Sequence, residues 1–148
     1  MALLDDLKIK DVKLVTYWDL IEPEENKYNF EDLDWQIKAA EERGVKLLLV
    51  VGMKTPRWPE CHEPEWAKSQ SSNLKSQSLL SYIETVVNRY KGSKSIWGWQ
   101  VENETFFHFG ECPKADVGLL KKEVELVKSL DARNRPVLIS DTGEWSFW

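Results

Sequence analysis

The alternation of short apolar runs with longer amphipathic runs is the feature that most constrains how this chain can fold. Four apolar runs rich in strand-forming residues are separated by three stretches with helical periodicity. We predict strands at 12–18, 45–52, 95–102 and 136–141. An order of β-α-β-α-β-α-β is typical of parallel strands that are joined by helical crossovers.

The three predicted helices cover 33–43, 78–90 and 117–130. We expect the first to be capped by Asp32 and to end at Gly44, where a left-handed residue is favoured. The second places a core stripe on one face, formed by Leu80, Ile83, Val86, Val87 and Tyr90.

The loops decide between an open sheet and a closed barrel. Those that follow the predicted strands are long and aromatic, and the one at 53–73 holds three prolines, whereas those that lead into the strands are short. No strand is followed by the Gly-rich turn that binds phosphate in nucleotide-binding sheets. The sequence therefore predicts an α/β fold, a partial TIM (β/α)8 barrel with four parallel strands and three crossover helices, and chemistry at the strand ends.

Charge and hydropathy exclude several kinds of partner. The net charge is −5 and the basic residues are scattered, which disfavours nucleic acid. No run approaches the roughly 18 apolar residues of a membrane span. The N-terminal residues are acidic and show no secretory signal, so we expect a cytoplasmic protein. A trimmed or internal fragment would look the same.

Eight tryptophans are an unusual number for 148 residues, and they indicate an aromatic core or a binding cleft. Four lie at or just after strand ends, where a flat ring could stack on a ligand: Trp18, Trp58, Trp145 and Trp148. Of these we predict Trp18 and Trp58 as cleft residues. We expect three others to serve only in packing, namely Trp35, Trp66 and Trp97.

Two Cys-His groups lie on neighbouring loops, Cys61-His62 on one and His108 with Cys112 on the other. Four such ligands could hold zinc, but the spacings are not those of a familiar finger. A disulfide between the cysteines is the alternative in an oxidising compartment. We assign no metal and no cofactor, and we place His62 among the substrate-binding residues.

Two motifs connect the chain to a known family. The stretch 99–104 (WQVENE) and the stretch 17–25 (YWDLIEPEE) resemble the (β/α)8 retaining glycoside hydrolases of clan A, the family 5 cellulase-like and family 42 β-galactosidase-like enzymes above all. The resemblance implies that Glu104 is the general acid/base and that Asn103 binds the sugar 2-hydroxyl. Because side chains alternate along a strand, Glu102 and Glu104 would face the same side of the sheet. The choice of Glu104 over Glu102 as the acid/base therefore rests on the resemblance.

The chain also departs from the clan pattern. Thr105 stands where Pro commonly follows the Asn-Glu pair, and Lys13 is the nearest residue to a second-strand Arg that supports the nucleophile. The four strands match strands two to five, so strand one, strands six to eight and the clan nucleophile are missing. We therefore expect residues 1–148 to form a single partial catalytic domain with little or no activity alone. Glu144 is an improbable substitute nucleophile.

The expected partner is an oligo- or polysaccharide, which a retaining double-displacement mechanism would hydrolyse. Two other interpretations stay open, an inactive truncated barrel fragment and a non-catalytic carbohydrate-binding module. A plainer interpretation of Glu104 is a helix-capping or surface acid. Four parallel strands leave two edges unpaired, so we also predict self-association through those edges.

Overall fold

The computed structural model describes residues 2–141. The strands are β1 (Asp11–Val15), β2 (Lys46–Val51), β3 (Ile96–Val101) and β4 (Val137–Leu138). The helices are α1 (Ala2–Asp5), α2 (Trp18–Ile21), α3 (Glu31–Glu42), α4 (Glu65–Lys68), α5 (Ser72–Tyr90) and α6 (Val117–Leu130). Within these residues, no helix has both the length and the apolar character needed to cross a membrane.

The four strands form one parallel sheet in the order β1-β2-β3-β4. Its register places Leu14 opposite Leu49, Leu49 opposite Trp99, and Trp99 opposite Val137. The long helices α3, α5 and α6 connect successive strands. The predicted fold, a partial TIM (β/α)8 barrel with three crossover helices, is confirmed.

The core lies between one face of the sheet and these helices. The α3 helix buries Leu33, Ile37 and Ala40, as its sequence pattern predicts. The larger contribution comes from α5, which buries Leu79, Tyr82, Ile83, Val86, Val87 and Tyr90. Leu80, which was expected in that stripe, is only half-buried because Leu79 and Tyr82 occupy the core side of the helix.

Several predicted ends are wrong. The strand β1 ends at Val15 instead of 18, and α5 begins at Ser72 instead of 78. Asp32 does not cap α3, because the helix begins at Glu31, two residues before the predicted start, and Asp32 lies in its first turn, where a negative charge interacts favourably with the helix dipole. The fourth strand is shorter than the predicted 136–141. Gly44 follows α3 with φ of +63°, the left-handed conformation that was expected there.

The last helix is fixed at both ends. At its start, the Asp116 carboxylate accepts hydrogen bonds from the backbone of Gly118 and Leu119. Just past its end, Asp131 accepts from Trp99 Nε1 in β3 and from Arg135. Burial alone would raise the pKa of Asp131, but these hydrogen bonds outweigh it and hold the pKa at about 2.

Candidate active site

The Asn103-Glu104 pair directly follows β3, at the edge where the carboxyl ends of the parallel strands meet. Asn103 N–H donates to the Lys54 carbonyl beyond β2 (2.7 Å), and Glu104 N–H donates to Ser140 Oγ beyond β4 (3.2 Å). Asn103 is buried and Glu104 is half-buried. Backbone contacts to both neighbouring strands therefore hold the two residues at this edge, where barrel enzymes carry their chemistry.

Lys13 lies beside this pair. Its Nζ donates to Asn103 Oδ1 at 2.9 Å. Burial lowers the pKa of Lys13, and the charge of Glu104 opposes that shift. Lys13 thus contacts the amide of the Asn-Glu pair and lies within electrostatic reach of its carboxylate.

Glu102 has a different environment from Glu104, although alternation would place both on one side. Its φ of +56° breaks the alternation, and its carboxylate accepts hydrogen bonds from the backbone N–H groups of Met53 (2.8 Å) and Lys54. Gly52 makes this approach possible, since a Cβ at that position would lie 2.5 Å from Glu102 Oε1. Glu102 therefore joins the ends of β2 and β3.

A cavity of about 280 Å³ brings Glu102 together with Glu123 of α6. Both side chains are buried, and Glu123 Oε2 has no hydrogen-bond partner among the described residues. Burial raises the pKa of Glu102, although the backbone hydrogen bonds that its carboxylate accepts oppose this shift. The pKa of Glu123 is also raised, mainly by burial and to a smaller extent by the charge of Glu102. This pair of acids lies away from the groove described next, whose lining contains neither of them.

A groove of about 810 Å³ is lined by β1 and the segment that follows it, by the first turns of α3, and by the loop after β2. Trp58 and His62 line it, as does Lys13, which also contacts Asn103. The groove and the Asn103-Glu104 pair therefore adjoin at Lys13. Trp58 is 65% exposed, so one face of its ring is available for a ligand.

His62 is a buried part of the groove wall. Its ring centroid lies 4.4 Å from that of Tyr17, its Nδ1 lies 3.5 Å from Asp19 Oδ2, and its Nε2 lies 3.3 Å from the Arg57 carbonyl. Both ring nitrogens thus face protein groups. The predicted substrate-binding role of His62 stays a prediction, and its observed role is to fix Tyr17 and Asp19 against the loop after β2.

The prediction that Trp18 lines the cleft is wrong. Trp18 is 0% exposed, and its ring stacks on Tyr82 of α5 while its Nε1 donates to Glu22. Thr16 is also buried on the helix side, where its hydroxyl accepts from Tyr82, whereas Tyr17 lines the groove together with Lys13 and Leu14.

The loops after β2 and β3 are joined close to the site. Cys61 and Cys112 form a disulfide with a Cα–Cα distance of 5.2 Å, and Trp58 packs edge-on against Phe109. Because disulfide sulfurs are not thiolates, the structure favours the disulfide over the zinc alternative. Across residues 2–141, no group of three or more His, Cys, Asp or Glu side chains is arranged to hold a metal ion.

Three residues considered from the sequence, Glu144, Trp145 and Trp148, lie outside the described residues. Two of the three expected packing tryptophans are more exposed than predicted, since Trp35 is 58% and Trp97 is 39% exposed. Sequence reasoning also missed Gln100 and Ser140, whose side chains contact Asn103. Gln100 is a polar residue inside an apolar strand, which was the available signal.

Comparison with known proteins identifies the family. The family model for glycosyl hydrolase family 10 matches residues 14–119. The chain is 26% identical over 167 residues to beta-galactosidase BgaA of Clostridium cellulovorans, covering 99% of this chain and 25% of that protein. It is 31% identical over 96 residues to endo-1,4-beta-xylanase A of Xylanibacter ruminicola, covering 63% of this chain and 25% of that protein.

A solved structure shows the same fold. The glycosylated family 10 endo-beta-1,4-xylanase of Gloeophyllum trabeum aligns with a TM-score of 0.73 at 20% identity, covering 95% of this chain and 46% of that one. The chain thus spans about a quarter of the length of the two relatives and under half of the solved structure. The resemblance to barrel glycoside hydrolases is confirmed, and the family model covers well over half of the sequence. The chain belongs to glycosyl hydrolase family 10.

Proposed function

We propose that this chain is part of the catalytic domain of a retaining glycoside hydrolase, with Glu104 as its general acid/base. The observation that carries the proposal is the position of Asn103 and Glu104 at the carboxyl end of β3, in a parallel partial barrel of family 10. A carboxyl group held there by backbone contacts has its head at the mouth of the barrel, where a glycosidic oxygen can be protonated.

In the proposed mechanism Glu104 donates a proton to the leaving oxygen while a second carboxylate attacks the anomeric carbon. Glu104 then removes a proton from the water that hydrolyses the glycosyl-enzyme. The four strands of this chain correspond to strands two to five of the clan barrel. The second carboxylate would therefore come from a strand outside these four. We accordingly propose that residues 1–148 form one partial catalytic domain and that the chain alone turns over little or no substrate.

The groove favours a β-linked oligo- or polysaccharide as the partner. Asn103 would bind the sugar 2-hydroxyl, and the exposed face of Trp58 would stack on a sugar ring. His62 would support sugar binding by packing against Tyr17 in the wall of the groove. The names of the relatives, a beta-galactosidase and xylanases, make xylan and β-galactosides the first substrates to test.

A second candidate is carbohydrate binding without turnover. The exposed Trp58 beside a groove of about 810 Å³ supports it, and so does the quarter-length match to the relatives. In this function Asn103 and Trp58 keep their roles, whereas Glu104 becomes a ligand contact. An inert fragment would bind no sugar at all, which separates it from both candidates.

Calorimetric titration with xylo-oligosaccharides, combined with nitrophenyl β-glycoside assays, tests these proposals. Trp58→Ala should weaken binding by about tenfold, the effect of losing one well-packed aromatic contact. Trp35→Ala is the matched control, because Trp35 is similarly exposed but is not one of the residues that line the groove. Any turnover should disappear in Glu104→Gln while binding persists. Turnover that survives this substitution would remove Glu104 from the acid/base role.

A further inference from the structure

We propose that Lys13, Gln100 and Ser140 are positioning residues that hold the Asn103 side-chain oxygen, so that the amide nitrogen is the group left for a ligand. The inference rests on the proposed function, in which Asn103 contacts the substrate. The site then includes residues from β1, from β3 and from the segment after β4, and its free amide nitrogen binds a ligand oxygen.

Three donors surround one oxygen. Asn103 Oδ1 lies 2.9 Å from Lys13 Nζ, 3.3 Å from Gln100 Nε2 and 3.4 Å from Ser140 Oγ. The donors come from β1, from β3 and from the segment after β4. The Asn103 side chain is therefore fixed by the three elements that meet at this edge.

The chemistry of these groups determines which end of the amide faces them. A lysine ammonium can only donate hydrogen bonds, so the Asn103 atom beside it must be the oxygen. The orientation of Gln100 is set independently, because its Nε2 lies 2.8 Å from the Glu102 carbonyl, which can only accept. The Gln100 amide nitrogen consequently also faces the Asn103 oxygen, and the two constraints agree. Because its two hydrogens are shared among three acceptors, the Glu102 carbonyl, Ser140 Oγ and Asn103 Oδ1, the 3.3 Å contact to Asn103 is the weakest of the three.

Ser140 completes the arrangement. Its hydroxyl oxygen accepts from Gln100 Nε2 at 3.0 Å and from the Glu104 backbone at 3.2 Å, which leaves its proton for Asn103 Oδ1. The same hydroxyl therefore holds both members of the Asn103-Glu104 pair. Removing it should disturb the orientation of the amide and the position of the acid together.

The amide nitrogen of Asn103 is left without a partner from residues 2–141. Asn103 is 8% exposed as a residue, and its amide nitrogen is not among the fully buried side-chain atoms that lack a partner. A ligand oxygen that accepts from this nitrogen would take the place of water there. The site should thus prefer a sugar that presents a hydroxyl oxygen at this point over one that lacks it.

The charge of Lys13 strengthens this preference. A cation that binds the oxygen of an amide withdraws electron density and makes the N–H groups better donors. Lys13 also lies close enough to Glu104 for their charges to interact. Lys13→Met removes both effects, whereas Lys13→Arg keeps the charge and the ability to donate.

The first test needs no ligand. In the isotopically labelled full chain, the side-chain ¹³Cγ and ¹⁵Nδ2 resonances of Asn103 report hydrogen bonds to its oxygen. Lys13→Met and Ser140→Ala should each move the ¹³Cγ resonance upfield, and Lys13→Arg should restore it. Lys10→Met is the control, because Lys10 is an exposed lysine next to the same strand. Resonances that stay at the wild-type position in both variants, as in the control, would overturn the proposal.

The second test measures binding of methyl β-xyloside and of its 2-deoxy counterpart by titration. Wild type should prefer the 2-hydroxy compound by about tenfold, and Asn103→Ala should bind the two compounds equally. Lys13→Met and Ser140→Ala should lower the preference toward one, and Lys13→Arg should retain most of it. A preference that is lost in Asn103→Ala but kept in Lys13→Met and Ser140→Ala contradicts the positioning role. If wild type binds neither compound, the proposed function fails and the resonance test alone decides this inference.

Discussion

Trp18 is the last residue of one predicted strand and Trp58 lies in the loop after the next, and the two rings have opposite environments. Trp18 stacks on Tyr82 and is fully buried, whereas Trp58 is 65% exposed beside the groove. A large ring at a strand end can turn toward the helices or toward the rim. Parity does not separate the two, because Trp18 lies three residues after β1 and Trp58 seven residues after β2, both odd offsets. The tertiary contacts of each ring decide its environment.

Trp18→Ala should destabilise the protein by about 3–5 kcal/mol, because it empties a large buried volume next to Tyr82. Trp58→Ala should change stability by no more than about 0.5 kcal/mol, as is usual for an exposed side chain. Denaturant unfolding followed by circular dichroism measures both. Equal losses in the two variants would contradict the assignment of Trp18 to the core.

Some site residues could be predicted from a local motif, whereas others depend on contacts between distant parts of the chain. Asn103 and Glu104 could be chosen from a motif, and the structure places them together at the end of β3. Glu102 could not be separated from Glu104 by alternation, because the left-handed conformation at Glu102 depends on Gly52 and on backbone donors 48 to 49 residues away. Long-range hydrogen bonds of this kind leave no periodic signal in the sequence.

At the scale of elements, strong periodicity gave accurate results. The helix predicted at 117–130 has those bounds, and β2 lies inside the predicted 45–52. The short helix α4 lies in the stretch 53–73 that was predicted as a loop, and α2 begins at Trp18, which was predicted as the last residue of a strand. A helix of four residues shows barely one turn of periodicity, so its existence depends on tertiary contacts such as the burial of Trp18.

The disulfide is the element-scale feature most open to experiment. Cys61 and Cys112 are 51 residues apart, and their bond joins the loops after β2 and β3. Reduction, or the double change Cys61→Ser with Cys112→Ser, should lower the free energy of unfolding by about 2–4 kcal/mol. Denaturant midpoints with and without reductant, together with a free-thiol assay, test this. An unchanged midpoint in a chain shown to be fully reduced would contradict it.

At the scale of the whole molecule, the buried acids Glu102 and Glu123 should make stability depend on pH. Both have a pKa raised above the ordinary value of about 4.3, so the folded state binds protons more tightly than the unfolded state. The free energy of unfolding should therefore fall as the pH rises from about 4.3 through the raised values. Glu123→Gln should flatten this slope and stabilise the protein at alkaline pH.

Thermal or denaturant unfolding across this pH range measures the slope. Glu125→Gln is the matched control, since Glu125 lies on the same helix but is exposed. The control should keep the wild-type slope. A slope in Glu123→Gln that equals the control slope would show that the buried pair does not govern the pH dependence.

The edges of the sheet concern the whole molecule as well. Among the described strands, β1 pairs only with β2 and β4 only with β3, and Ile139 next to β4 is 53% exposed. Unpaired edges favour association, so self-association stays our prediction. Size-exclusion chromatography with light scattering should show a dimer or larger species, which Ile139→Lys should reduce. A stable monomer at high concentration would contradict the prediction.

The most direct test of the central claim is a crystal structure of this chain with a bound xylo-oligosaccharide. We predict that a Glu104 carboxyl oxygen lies within hydrogen-bond distance, about 2.6–3.2 Å, of a glycosidic or anomeric oxygen. Asn103 Nδ2 should donate to a hydroxyl of the same sugar, and Trp58 should stack on a neighbouring ring. A sugar bound on the outer surface near Trp35, or a Glu104 side chain directed away from the ligand, would contradict the account.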